Sequence, residues 1–201
     1  MIGKNRDAID EIEAMTIATQ QPITLEAFLK LPETKPASEY INGAIIQKPM
    51  PKGKHSQLQL RLCNAVNEIG VAQQTVYALP ELRCTFGTRS LVPDVAVFQW
   101  SRIPFDADGE IPNDFLMHPD WVIEILSPEQ ASNRVTGNIL HCLHHGCSLG
   151  WLIGPGDRSI LAFLPKQEPV LYEGNDLLPV LAGVPLELTV QQVFNWLKMS
   201  G

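Results

Sequence analysis

Apolar and polar positions along this chain repeat with two periods, and the changes of period mark its elements. In ITLEAFLKLP (23–32), Leu25, Phe28 and Leu29 recur at helical spacing behind Thr24, a capping residue. Residues 56–69 repeat the pattern. Leu58, Leu62, Ala65, Val66 and Ile69 share a face, and Ser56 with Gln59 has the form of a capping box. A helix is predicted over 134–145, stopped by Gly146. Another is predicted over 190–198, where Thr189 and Gln192 form a second capping box ahead of Val193, Phe194, Trp196 and Leu197. Between these helices the period falls to two, or the apolar run is unbroken. Asn42-Gly43 in EYINGAIIQKP predicts a hairpin between two short strands. Strands are expected at 75–79, 82–86, 92–98 and 121–126, and 149–154, 159–165 and 168–174 read as a meander. Residues 1–22 read as a loosely ordered extension ahead of a single domain over 23–201. The alternation of helices and strands predicts an α/β (α+β) class.

Two of the strands carry a charge that apolar strands rarely tolerate. LVPDVAVF (91–98) contains Asp94, and WVIEILSP (121–128) contains Glu124. With side chains alternating across a strand, Asp94 shares a face with Ala96 and Phe98, and Glu124 shares one with Val122 and Leu126. An unpaired carboxylate in such a frame costs several kcal/mol. Two acids in similar frames suggest that they meet, and a divalent cation is the simplest reason for carboxylates to converge. The competing account has Asp94 capping a turn after Pro93 and Glu124 paired with an arginine such as Arg89.

Composition narrows the function classes. The chain has 201 residues, 45% hydrophobic and 18% charged, enough for a core that folds without staples. A net charge of −7 argues against wholesale phosphate binding but leaves room for a local basic site. KPMPKGKH (48–55) gathers Lys48, Lys52, Lys54 and His55, which would either steer a phosphate backbone or form an ordinary solvated loop. No apolar run reaches the roughly 20 residues of a membrane span. The four cysteines lack the spacing of a secreted framework and read as free thiols in a reducing cytoplasm. HCLHHGC (141–147) invites a zinc reading, but no second ligand pair accompanies it.

The Pro-Asp at one strand start and the Glu in a later buried strand resemble the PD-(D/E)XK nuclease pattern. More closely, TLEAFLKLP, EYINGAIIQKPMPKGKH, RSLVPDVAVF, PDWVIEILSP and GWLIGP, in that order over about residues 23–198, resemble the Uma family of endonucleases with a restriction-endonuclease-like fold. The resemblance implies a mixed β-sheet flanked by helices and a site for Mg²⁺ or Mn²⁺. It makes Asp94, Glu124 and the carbonyl of Ile125 metal ligands and Glu39 a third acid near them. His55 matches the histidine that opens the family's long helix. Lys52, Lys54 and His55 become candidate phosphate contacts, DNA the expected substrate, and a twofold homodimer the expected assembly.

One departure cuts against activity. The lysine of Glu-x-Lys is replaced by Leu126, and the alternative lysine position on the following helix falls at Asn138, beside Gly137. Such a lysine orients water and offsets phosphate charge, and its loss would cost about 2–4 kcal/mol of transition-state stabilisation. Arg134, Lys54 or Lys52 are candidates to replace it. The reading is therefore a cytoplasmic, metal-dependent endonuclease. The alternative is an inactive nucleic-acid-binding or protein-interaction module that keeps the fold.

Overall fold

The structure, a computed structural model, describes residues 23–128 and 130–199; the expected extension over 1–22 lies outside the described residues. Helix α1 (Leu25–Leu29) starts where expected, with the Thr24 hydroxyl accepting the Ala27 N–H, although only Phe28 of its apolar positions is buried. Strands β1 (Ser38–Ile41) and β2 (Ala44–Gln47) follow, joined by Asn42 and Gly43 at φ 51° and 89°, the positive angles that an Asn-Gly hairpin turn requires. Helix α2 (Gly53–Gln73) begins earlier than its apolar face suggests. Its N-cap is Lys52, just after Pro51, and the Ser56–Gln59 capping box does not form. Ser56 already lies inside the first turn, and Gln59 is used elsewhere.

Strands β3 (Val76–Pro80), β4 (Cys84–Phe86), β5 (Arg89–Leu91), β6 (Val95–Gln99) and β7 (Trp121–Ile125) come next. The strand expected over 92–98 starts only at Val95: residues 92–94 form a bend, with Asp94 in it, that links β6 to β5, a strand of the other sheet that the sequence pattern did not announce. Helix α3 (Ser132–His144) leads into the meander β8 (Leu149–Gly154), β9 (Ser159–Phe163) and β10 (Val170–Glu173). Helix α4 (Val190–Asn195) closes the described chain with the Thr189–Gln192 capping box formed.

The larger sheet has the order β10-β9-β8-β7-β6-β3, with β7 and β8 parallel and the other pairs antiparallel. The parallel pair needs a crossover, and α3 supplies it. The smaller sheet, β2-β1-β5-β4, is antiparallel throughout. On one face of the larger sheet, Leu58, Leu62 and Val66 of α2 and Val193 and Phe194 of α4 pack against Val95, Val97, Trp121, Ile123 and Ile125. Each such side chain, fully withdrawn from water, contributes roughly 1.5–3 kcal/mol. On the other face, Val135, Ile139 and Cys142 of α3 join Leu91 of the smaller sheet over Val122 and Leu152. Gly150 lets α3 seat closely, since a Cβ there would collide with Ile139. The result is the expected mixed sheet flanked by helices. Its four cysteines are buried and free, and among the described residues no helix is long and apolar enough to cross a membrane.

Candidate functional site

Strand register brings the two acids together. β6 and β7 pair Val97 with Trp121, Ala96 with Val122 and Val95 with Ile123. The ladder ends there, and Asp94, in the bend one residue before β6, stands beside the end of β7: its carboxylate accepts the Ile125 N–H, and Lys48 Nζ reaches both it and Glu124. The Glu124 side chain lies on the α3 face, because its neighbours Ile123 and Ile125 fill the α2 core. Both residues are 2% exposed.

The bend after Pro93 frees the Asp94 carboxylate to take three partners. Oδ2 accepts the Ile125 N–H at 2.7 Å and lies 3.0 Å from His55 Nε2, while Oδ1 accepts from Lys48 Nζ at 2.7 Å. The Gln59 amide, on the buried face of α2, donates to the Asp94 carbonyl at 2.7 Å. Lys48 Nζ also donates to the Val92 carbonyl at 2.6 Å and lies 3.7 Å from Glu124 Oε2. Glu39, on β1, accepts the Val92 N–H at 2.9 Å on one oxygen and the Asn138 amide at 3.2 Å on the other.

Lys48 corrects the sequence reading at one point. It is not part of a solvated loop; its side chain is 11% exposed and ion-pairs both strand acids. Arg134 is exposed, and Arg89 donates to the Gly137 carbonyl instead of meeting Glu124. The local signal for Lys48 was slight: a lysine held extended by Pro49, so that it continues strand β2. Gln59 was read only as a capping residue and Asn138 only as the place of an absent lysine; no local signal pointed to their partners, the Asp94 carbonyl and the Glu39 carboxylate.

Charge in this cluster is unbalanced. Glu39, Asp94 and Glu124 are all buried, with one lysine among them. For Asp94, burial favours the neutral form, but the Lys48 charge and the His55 and Lys48 hydrogen bonds outweigh it and bring its pKa down to about 2. Burial, and then the charges of Asp94 and Glu39, push Glu124 well above the usual carboxylate range against the pull of Lys48. Lys48 is penalised by burial yet held above its ordinary value by Glu124, Asp94 and Glu39. The two facing acids are thus pushed in opposite directions, Asp94 towards the ionised form by Lys48 and His55 and Glu124 towards the neutral form by burial.

Two cavities meet at these residues. One of about 500 Å³ is bordered by Lys48, His55 and Asp94, and one of about 720 Å³ is rimmed by Lys52, Lys54 and His55. Gln130 borders both. The HCLHHGC segment lies apart from them. Cys142 is packed in the apolar core, and His141 and His145 lie against Phe86.

Among the described residues, no three His, Cys, Asp or Glu side chains are grouped to cage a metal. Mg²⁺ does not need such a cage, since it takes one or two carboxylates and keeps several waters. Asp94 and Glu124 with the main chain of Ile125 suit that demand, and the surplus negative charge would be relieved by it.

The family model for Uma2, described as "Putative restriction endonuclease", matches residues 25–192. A crystal structure of "a putative nuclease belonging to DUF820" from Anabaena variabilis ATCC 29413 is similar, with a TM-score of 0.86 and 52% identity over 88% of this chain and 100% of that one. No curated protein matches.

Proposed function

The chain belongs to the Uma2 family, and from that membership we propose that it is a metal-dependent endonuclease hydrolysing phosphodiester bonds in DNA. The observation that supports the reading is the convergence of two buried strand acids, Asp94 and Glu124, on one lysine, with Asp94 bordering a cavity that shares His55 with a neighbouring one of basic rim. Asp94, Glu124 and the Ile125 carbonyl would hold Mg²⁺ or Mn²⁺, with Glu39 supporting the cluster from β1. A bound ion supplies polarisation of the scissile phosphate and a more acidic water. His55 and the Ile125 N–H hold the Asp94 carboxylate in one orientation. Lys52 and Lys54 would contact flanking phosphates at the start of α2, where main-chain N–H groups and the helix dipole also favour anions. We place the enzyme in the cytoplasm, acting on duplex DNA as a twofold homodimer.

A second reading, a non-catalytic DNA-binding or protein-interaction module, is favoured by Asn138, whose amide pairs with Glu39 where relatives are expected to carry a lysine. Calorimetry with Mn²⁺ and Mg²⁺, alone and with a non-cleavable duplex, separates the two. The nuclease reading expects binding by the wild type, its loss in Asp94→Ala and Glu124→Ala, and metal-dependent cutting of a cleavable duplex. DNA binding that is indifferent to metal, without turnover, would establish the second reading instead.

A further inference from the structure

The two positions where a nuclease of this pattern is expected to carry its lysine hold Leu126, packed among aliphatic side chains, and Asn138. Yet the acid cluster does contain a lysine. It comes from a third direction, the end of the β1–β2 hairpin. We infer that Lys48 is the working lysine of this site: its ammonium holds the two strand acids before the ion enters, then turns to the scissile phosphate as the ion replaces it. The inference rests on the nuclease reading above.

Three features of the geometry carry it. Lys48 Nζ bridges the acids, 2.7 Å from Asp94 Oδ1 and 3.7 Å from Glu124 Oε2, so it stands between the groups that would ligate the ion. An ammonium has three donors. Two are used at short range, on Asp94 and the Val92 carbonyl, and the third faces Glu124 across a gap too long for a hydrogen bond. Finally, Lys48 borders the 500 Å³ cavity together with His55 and Asp94, so a short rotation of its flexible stem would bring that donor to a phosphate oxygen.

A structural role alone accounts poorly for this placement. A buried ion pair rarely outperforms an apolar pair of the same volume, and this one borders a cavity instead of lying sealed in the core. In the reaction, a water oxygen would form a bond to phosphorus and the P–O3′ bond would break. The water's proton passes to solvent, and the leaving 3′ oxygen takes one up. Lys48 would donate a hydrogen bond to a non-bridging oxygen throughout and transfer no proton.

The test uses Lys48→Met and the double variant Lys48→Met/Asn138→Lys, which returns the charge to the helical position beside Glu39. Three readouts are needed: Mn²⁺ affinity by calorimetry, melting temperature with and without Mn²⁺, and single-turnover cleavage of a DNA duplex. Lys48→Met is expected to bind Mn²⁺ at least tenfold more tightly than wild type and to gain more melting temperature from it, because a competing cation is gone. Its cleavage should fall about 10²–10³-fold, as for loss of one preorganised donor. The double variant should recover at least tenfold of that loss. If Lys48→Met does not fold without metal, rescue of its fold by Mn²⁺ and the double variant's cleavage decide the matter. Cleavage by Lys48→Met within threefold of wild type overturns the inference while leaving the nuclease reading intact, and so does weaker Mn²⁺ binding. A wild type that neither binds Mn²⁺ nor cuts DNA overturns the nuclease reading itself.

Discussion

The acid cluster at the ends of β6 and β7 and the histidine cluster around Phe86 lie on the same side of the larger sheet, and both gather titratable side chains among apolar ones. Their electrostatics differ. His141 stacks on Phe86 with ring centroids 5.0 Å apart, while His118 and His145 meet the same ring at 6.0 and 5.4 Å. His145 Nδ1 lies 2.8 Å from the His141 carbonyl, and His118 Nδ1 lies 3.0 Å from the Pro119 carbonyl. Burial, with neighbouring Arg89, His145 and His144, brings the His141 pKa down to about 4, so the ring is neutral at pH 7. These imidazoles behave as flat, half-polar packing units. The acids, by contrast, outnumber the one lysine among them, and Asp94 borders an open cavity. HCLHHGC has the residue types of a metal motif but lacks a second ligand pair, and its rings are used in packing. Charge balance and access separate the two clusters.

Substitutions in the two clusters should therefore fail differently. Asp94→Ala takes away the carboxylate 2.7 Å from Lys48 and leaves a buried ammonium short of its nearest partner, and should cost on the order of 3 kcal/mol in metal-free denaturant unfolding. Glu124→Gln, which keeps the shape of an acid 3.7 Å from the same ammonium, should cost far less at neutral pH in the same experiment. A larger loss for Glu124→Gln than for Asp94→Ala would make Glu124 the principal partner of Lys48. Phe86→Ala should lower stability by about 2 kcal/mol through lost packing, while leaving Mn²⁺ affinity within twofold of wild type; a large change in affinity would show that the clusters are coupled. The smallest effect concerns acid. The folded-state pKa of His141 lies below the 6.5 of an ordinary histidine, so the unfolded chain binds the extra proton and stability falls as pH drops from about 6.5 towards 4. His141→Gln should narrow the difference between urea midpoints at pH 7 and pH 5, and an unchanged difference would remove His141 from the account.

Much of the fold was legible because its signals are local. The hairpin at Asn42-Gly43, the alternation that gives β7 one face to each core, and the Thr189–Gln192 box all need only a few neighbouring residues. Tertiary demands overrode the rest. Gln59 does not cap α2 because it serves the Asp94 carbonyl across the core. The strand expected around Asp94 breaks after Pro93 because β5 leaves for the smaller sheet. The convergence of Asp94 and Glu124 could be anticipated from two similar apolar frames. The approach of Lys48 could not, because nothing within KPMPKGKH reveals that its first lysine points inward while later ones rim a cavity.

The two sheets divide the cluster between them. Glu39 and Lys48 come with the β1–β2 hairpin of the smaller sheet, while Asp94 and Glu124 belong to the β6–β7 edge of the larger one. A chain that has formed only the larger sheet holds two facing carboxylates and no ammonium. Closure of the smaller sheet against Val122 and Ile139 delivers the missing charge. The charge of the cluster is therefore a property of the finished molecule, set by the docking of one sheet on the other and absent from either sheet alone.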